Sequence, residues 1–401
     1  MRSVELFAGA GGLAMGMSNA GFQHAAVVEW DHDACETFRE NQRQHLHSVE
    51  EWPLFEGDVR GFDYGALHDI MVVSGGPPCQ PFSLGGKHRA YNDKRDMFPE
   101  AVRAVRELRP RAFIFENVKG LMRESFADYF EYVLLQLTHP GFERRKGETW
   151  REHRKRLEEY HTSRRTRAEY NVVFRLLNAA NFGVPQRRER VFMVGFRSDL
   201  GVEWSFPEGG YSEDALLRSK WATGEYWDRH RVSKRERPEI SNRIAARVER
   251  LRGDYLFDAS KRPWLTVRDA IGDLPDPVKK PRSGILNHVF NPGARSYKGH
   301  TGSPLDEPAK TLKAGDHGVP GGENMLARVD GSVRYFTVRE AARLQTFPDD
   351  YLFRGAWTEA MRQLGNAVPV RLAETVARSV VQTLEDHENA TGGAGTGARR
   401  I

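Results

Sequence analysis

Two stretches of this 401-residue chain carry residue types and spacings that could do chemistry. Gly75-Gly76-Pro77-Pro78-Cys79-Gln80-Pro81-Phe82-Ser83 follows the apolar run Ile70–Val73. A thiol therefore stands on a proline-stiffened loop just past the C-terminal end of a buried strand. That placement suits a nucleophile. Taken alone, Cys79 reads more readily as a reduced cysteine packed beside a tight turn, since free cysteine is among the most buried residue types. The second stretch, Gly9-Ala10-Gly11-Gly12-Leu13-Ala14, fits G-x-G-x-x-G/A directly after a strand, with Glu29 lying 20 residues past Gly9. Glycines there let the backbone approach a ligand, and an acidic residue at the second strand end can hold ribose hydroxyls. Asp58, at the third strand-end turn, could accept from an adenine amino group, and Trp30 offers a flat face to the same ring. The pattern says adenosine-containing ligand, a dinucleotide such as NAD as much as any other. Glycines that merely allow close strand–helix packing are the alternative.

The elements that must position these residues read as an α/β domain with a parallel sheet and helices on both faces. Strands are expected at Val4–Phe7, Ala25–Val28, Ile70–Val73 and Ala112–Phe115, with helices through Ala20, over Asp33–Asn41 and over Met97–Leu108, the last stopping before Pro110. Every distinctive residue falls just past the C-terminal end of a strand, the edge where open α/β sheets bind ligands. Glu143 to Glu169 is dense in charge and reads as a solvated surface helix, with a basic strip flanking DNA as the second reading. Val172–Leu177 and Val191–Phe196 return to buried-strand character. The chain divides into a catalytic and cofactor-binding domain at 1–196, a loop-rich, partly β domain at 197–333, a return to the first domain at 334–388, and a disordered tail at 389–401. A closing helix is expected over Val370–Glu385.

Charged residues make up 29% and hydrophobic ones 39%, ordinary for a globular chain. No apolar run is long enough for a membrane span, and no basic-then-apolar leader is read before Val4. Two cysteines, Cys35 and Cys79, point to a reducing compartment and away from a disulfide framework. A net charge of +5 and a pI of about 9.1 suit a polyanionic partner without requiring one. No metal site is expected.

Seven segments in order resemble the bacterial-type DNA (cytosine-5)-methyltransferases over nearly the whole chain. They are Phe7-Ala8-Gly9-Ala10-Gly11-Gly12, Glu29-Trp30-Asp31, Pro77-Pro78-Cys79-Gln80, Glu116-Asn117-Val118, Gln186-Arg187-Arg188-Glu189-Arg190, Arg339 to Gln345, and Gly365-Asn366-Ala367-Val368-Pro369. The resemblance implies a Rossmann-like S-adenosylmethionine-dependent sheet with a smaller target-recognition domain. It implies cofactor contacts from Phe7, Ala8, Gly9, Gly11, Gly12, Glu29, Trp30, Asp58, Val59, Pro78, Met97, Asn366 and Val368. Cys79 is then the nucleophile that adds to carbon 6 of cytosine, and Glu116 the carboxyl group at ring nitrogen 3. Arg190 would bind the base carbonyl and Arg188 the adjacent phosphate. Gln80, Ser83 and Lys87 would meet DNA beyond the cysteine. Lys298 and His300 lie where a side chain could fill the hole left by the flipped base, and Thr311, in a Thr-Leu element, would contact a phosphate.

The resemblance implies double-stranded DNA as substrate, a restriction endonuclease acting on the same sequence as partner, a monomer, and a cytoplasmic, nucleoid-associated setting in a bacterium or archaeon. An RNA-directed member of the same family would not need the large insert between the fifth and sixth segments. A nicotinamide-dependent oxidoreductase would leave Cys79, Glu116 and the arginines unexplained. A non-catalytic DNA-binding regulator would have no use for an intact Cys79 and Glu116.

Overall fold

The computed structural model describes residues 1–46, 49–78, 96–163, 167–253, 258–281, 283–298, 301–315 and 324–393. They form two units: Met1–Leu177 with Glu189–Pro207 and Ala373–Ile401, and Asn178–Arg188 with Glu208–Leu372.

Strands and helices alternate in the first unit, as β1 (Arg2–Leu6), α1 (Gly12–Asn19), β2 (Gln23–Glu29), α2 (His32–Arg43), β3 (Leu54–Glu56), β4 (Val72–Gly75), α3 (Phe98–Leu108), β5 (Ala112–Val118), α4 (Ala127–Thr138), α5 (Trp150–His161), β6 (Tyr170–Asn178) and β7 (Glu189–Arg197). The strands make one seven-stranded sheet in the order β3-β2-β1-β4-β5-β7-β6. The pairs β1–β2, β1–β4, β2–β3 and β4–β5 are parallel. Strand β7 runs antiparallel to β5, with Val118 opposite Arg190 and Glu116 opposite Phe192. The α/β class read from the alternation is the one that forms. Central strands are apolar in continuous runs because both faces are covered: Val4, Leu6, Val73, Phe113 and Phe115 are fully buried and share a core with Val102 and Val105 of α3 and Val133 and Leu137 of α4. Local signals set the helix ends. Asp31 caps α2 by accepting from the Ala34 amide, and Thr149 with Glu152 forms a capping box on α5. Pro99 sits in the first turn of α3, which closes on Arg109 in the left-handed region, one residue before Pro110.

The second unit comprises β8 (Tyr211–Ser212), α6 (Glu213–Trp221), α7 (Glu225–Arg229), α8 (Asn242–Arg252), β9 (Arg262–Pro263), α9 (Val267–Ile271), β10 (Ser303–Pro304), β11 (Met325–Ala327), β12 (Val333–Tyr335), α10 (Val338–Leu344) and α11 (Trp357–Asn366). Tyr226 and Trp227 centre a small core with Leu216, Val232 and Trp264. The Tyr226 hydroxyl shares a hydrogen bond with Thr266 Oγ1 (2.8 Å) and donates to Asp306 Oδ1 (2.9 Å). A final helix, α12 (Val370–Gly393), starts in this unit and continues in the first from Ala373.

Three boundaries differ from expectation. Residues 197–207 stay with the sheet, where Trp204 packs on Phe196 and donates to Ser379 Oγ (2.9 Å). Residues 334–372 belong to the second unit, whose three-stranded sheet β12 completes. Residues 389–393 extend α12 instead of forming a tail, and 394–401 lie outside the described residues. Among its described residues the 197–333 region also holds four α-helices. Two of them, α7 and α9, span only 5 residues each, too short to show a helical period in the sequence.

Candidate active site

Strands β4, β5 and β7 bring one acidic and one basic side chain to a single place. Arg190 is the second residue of β7 and Glu116 lies near the end of β5, and the antiparallel register carries the Arg190 Nε to 2.8 Å from Glu116 Oε1. Both side chains are nearly closed to solvent, at 12% and 8% exposure. Burial pushes the guanidinium pKa down from its ordinary value, and the carboxylate opposes that shift. A buried pair of this kind costs desolvation and is tolerated where its geometry holds. The carboxyl group also borders the loop after β4. A Cβ placed on Gly76 would stand 3.3 Å from Glu116 Oε2. Asn117 Nδ2 donates to the Pro77 carbonyl (2.9 Å), tying the end of β5 to that loop, and the Met97 amide donates to the Pro78 carbonyl (3.1 Å). Cys79, Gln80, Ser83 and Lys87 follow directly and lie outside the described residues, as does His300.

The glycine loop sits at the end of β1 in the same sheet. Phe7, Gly9 and Gly11 all have positive φ, at 56°, 54° and 82°. The two glycines differ in purpose. A Cβ on Gly11 would meet Phe38 at 2.6 Å, so this glycine serves packing of α1 against α2. A Cβ on Gly9 would meet nothing within 4 Å, so its backbone faces open space. Glu29 accepts from three backbone amides: Gly9 to Oε2 (2.6 Å), and Trp30 (2.9 Å) and Asp31 (2.8 Å) to Oε1. Burial raises its pKa, against those three donors. A carboxylate offers about four acceptor positions, so one is left for a ligand hydroxyl. Trp30, 74% exposed, presents its indole to solvent. Asp58 is less available than its position suggests: it caps the turn at 59–61 and both its oxygens bind Arg60, which holds its carboxyl below the usual range. Val59 is buried, Ala8 and Gly12 are buried, and Phe7 and Met97 pack against the sheet's core. These residues fit an adenosine-type ligand through the Gly9 cradle, the remaining Glu29 acceptor position and the Trp30 face.

Arg188 is placed differently from the expectation of a phosphate contact. Its side chain is fully buried, with Nη1 donating to the Leu312 carbonyl (3.0 Å) and Nη2 to those of Gly365 (2.6 Å) and Ala367 (2.8 Å). The guanidinium is committed to the backbone of its own unit, which removes it from the catalytic set. Thr311 is likewise engaged, its hydroxyl donating to the Arg187 carbonyl (2.7 Å). Lys298 and Asn366 are exposed and Val368 is buried.

A profile of the C-5 cytosine-specific DNA methylase family matches residues 1–382. The chain belongs to that family. Its reaction is methylation of cytosine carbon 5 in DNA. The methylase is 29% identical over 392 residues to the type II methyltransferase M.NgoMIV of Neisseria gonorrhoeae, covering 96% of this chain and 98% of that one. It is 31% identical over 389 residues to M.Eco47II of Escherichia coli, covering 95% and 79%. Its fold is shared with the crystal structure of S. pombe Dnmt2 methyltransferase (TM-score 0.52, 16% identity, 96% and 99% covered). It is also shared with Entamoeba histolytica methyltransferase EhMeth (TM-score 0.53, 12% identity, 96% and 98% covered).

Two site residues of the methylase had no assigned role in the sequence reading. Asn117 holds the Pro77 carbonyl, and Gln186, fully buried, accepts from the Leu312 amide (3.0 Å) while donating to the Leu344 carbonyl (3.2 Å). Both are buried polar side chains, and a buried polar group is hydrogen-bonded.

Proposed function

We propose that the methyl donor is S-adenosylmethionine and that Cys79 carries the reaction through a covalent adduct at cytosine carbon 6. The observation behind this reading is the buried Glu116–Arg190 pair, set against Gly76 and Pro77 three and two residues before the cysteine. Gly9, Glu29 and Trp30 would hold the cofactor, with Asp58, Met97, Asn366 and Val368 as further candidates. When bound, it supplies an electrophilic methyl group. Cytosine carbon 5 is a poor nucleophile, so Cys79 thiolate adds to carbon 6 and turns the ring into an enamine. Glu116 sits at ring nitrogen 3 as charge develops there, and Arg190 binds the base carbonyl while keeping the carboxyl group in place. Loss of the carbon 5 proton then lets the thiolate leave.

The target base is inaccessible within a duplex and must be flipped out, at a cost of a few kcal/mol. The second unit would read the sequence, with Lys298 and Thr311 among its DNA contacts. The named relatives are type II methyltransferases, which supports a restriction endonuclease of the same specificity as partner and a cytoplasmic setting. Among the described residues no helix is long and apolar enough to cross a membrane. The protein acts as a monomer in this reading.

Incubation with tritiated S-adenosylmethionine and duplex DNA of varied sequence is the direct test, with bisulfite sequencing of host DNA to map the target word. Duplex carrying 5-fluorocytosine at that position should trap a covalent adduct, and Cys79→Ala should abolish it. Adduct formation by the alanine variant would remove Cys79 from the mechanism.

A further inference from the structure

The catalytic reading makes no use of the charge-dense segment between α4 and β6. From Glu143 to Glu169 it carries ten Lys and Arg against six Glu, which is four of the chain's five net positive charges. Its helix α5 is fixed to the sheet unit by Trp150, His153 and Leu157, all buried. The turn before it is held by Phe142, which stacks on Tyr160 (4.5 Å between centroids) and lies under the Arg156 guanidinium (4.5 Å).

The acidic groups of this region are mostly satisfied locally. Arg154 binds Asp128, Glu131 and Glu158 at 2.9, 2.7 and 2.6 Å. Arg156 binds Glu148 at 2.5 Å, Arg106 binds Glu143 at 3.4 Å, and Glu152 is taken by the cap on Thr149. Arg145, Lys146 and Lys155 are exposed, as is Arg151, whose guanidinium lies over the Trp150 ring (5.2 Å), and Glu143, Glu152 and Glu159 are the exposed carboxylates of the same described segment. The N-terminal end of α5 also stands beside the return of the cysteine loop. Trp150 packs on Tyr129 and Tyr132 (5.9 and 5.7 Å), and the Tyr129 hydroxyl donates to Asp96, one residue before Met97, whose amide binds the Pro78 carbonyl.

We infer that α5 and the turn before it form a phosphate-backbone contact for duplex DNA outside the recognition sequence. Cations on a packed helix and the turn before it, linked through Trp150 and Tyr129 to Asp96, are placed to neutralise phosphates of the flanking duplex, and such contacts carry no sequence information. Each neutralised phosphate steepens the fall of log K with log salt by about 0.9.

The inference rests on the DNA-methylating activity, so it is tested by binding and not by methyl transfer. Anisotropy titrations over a salt series would compare a duplex limited to the mapped target word with one extended by two helical turns on each side. The wild type should bind the long duplex more tightly and with the steeper slope. The Arg145→Gln/Lys146→Gln/Lys155→Gln variant should lose about 2 to 3 from the long-duplex slope and keep wild-type binding and methylation of the short one. Equal wild-type affinity for the two duplexes, an unchanged long-duplex slope in the variant, or an equal loss on the short duplex would each overturn the inference. Failure of the wild type to methylate any DNA would instead strike at the proposed mechanism, and the same salt series on short and long duplexes of arbitrary sequence would still read out the binding comparison.

Discussion

Gln186–Arg188 and Glu189–Arg190 are five consecutive residues of one motif, yet they do opposite work. In the first stretch Gln186 and Arg188 are fully buried and spend their polar atoms on the backbone of the second unit, chiefly the 309–312 strip and the Gly365–Ala367 turn. In the second stretch the chain has become strand β7, and Arg190 meets a carboxylate at the edge of the catalytic sheet. The boundary between the two units falls between Arg188 and Glu189. Two arginines separated by one residue therefore differ in what a substitution should damage, one in folding and the other in chemistry.

The sharpest way to break this contrast is to put lysine at each position. Lysine keeps the charge but loses the planar fork. Arg190→Lys should lower kcat by about 100-fold or more, the scale for removing one aligned donor at a reacting centre, with little change in melting temperature. Arg188→Lys leaves up to two of three buried carbonyls without a donor, at about 1–3 kcal/mol each, and should lower unfolding free energy by about 2–4 kcal/mol while kcat per folded molecule stays within a few-fold. Denaturant titration alongside steady-state kinetics separates the two. A kcat loss in Arg188→Lys at unchanged stability would return that residue to the catalytic set.

The glycine loop repeats the contrast on a smaller scale. Gly11→Ala forces a Cβ to 2.6 Å from Phe38 at φ 82° and should cost about 2–3 kcal/mol. Gly9→Ala meets no neighbour and should cost about 1 kcal/mol for its positive φ, while raising KM for S-adenosylmethionine because the added methyl group occupies the open space above the loop. A normal KM in Gly9→Ala would mean that the cofactor does not approach there.

The sheet unit was legible because its information is local. Apolar runs mark strands buried on both faces, Pro110 marks a helix end, and strand ends collect the polar residues. That was enough to group Gly9, Glu29 and Glu116 at one sheet edge. It could not say that Glu29 would be mostly consumed by its own loop, or that Asp58 would be held by Arg60, because both depend on backbone amides and side-chain rotamers. The second unit was read poorly. Its helices are short, and its order comes from long-range polar links such as Lys220 to the Asp306 carbonyl (2.8 Å) and Gln186 to Leu312, which leave no periodic trace. Arg188 was misread for the same reason, since an arginine fully enclosed by carbonyls looks in sequence like one facing DNA.

Glu5 supplies a last comparison, with Glu116. Both are buried carboxyl groups of the same sheet, on β1 and β5 with β4 between them, but Glu116 has an arginine while Glu5 is met by the Ser74 hydroxyl, which donates to it. Without a cation nearby, burial pushes the Glu5 pKa from the ordinary 4.5 to about 8. The folded protein therefore keeps a proton that the unfolded chain releases above pH 4.5. Across that window the unfolded state binds fewer protons, so stability falls as pH rises, by up to about 1.4 kcal/mol per pH unit from this group. Below the window both states are protonated and above about pH 8 both are ionised, so its slope vanishes at either end. Glu5→Gln is neutral throughout and keeps an acceptor for Ser74. Urea titrations from pH 5 to pH 8 should show the variant gaining on the wild type with each unit, and a constant difference across that range would mean that Glu5 is already ionised in the fold.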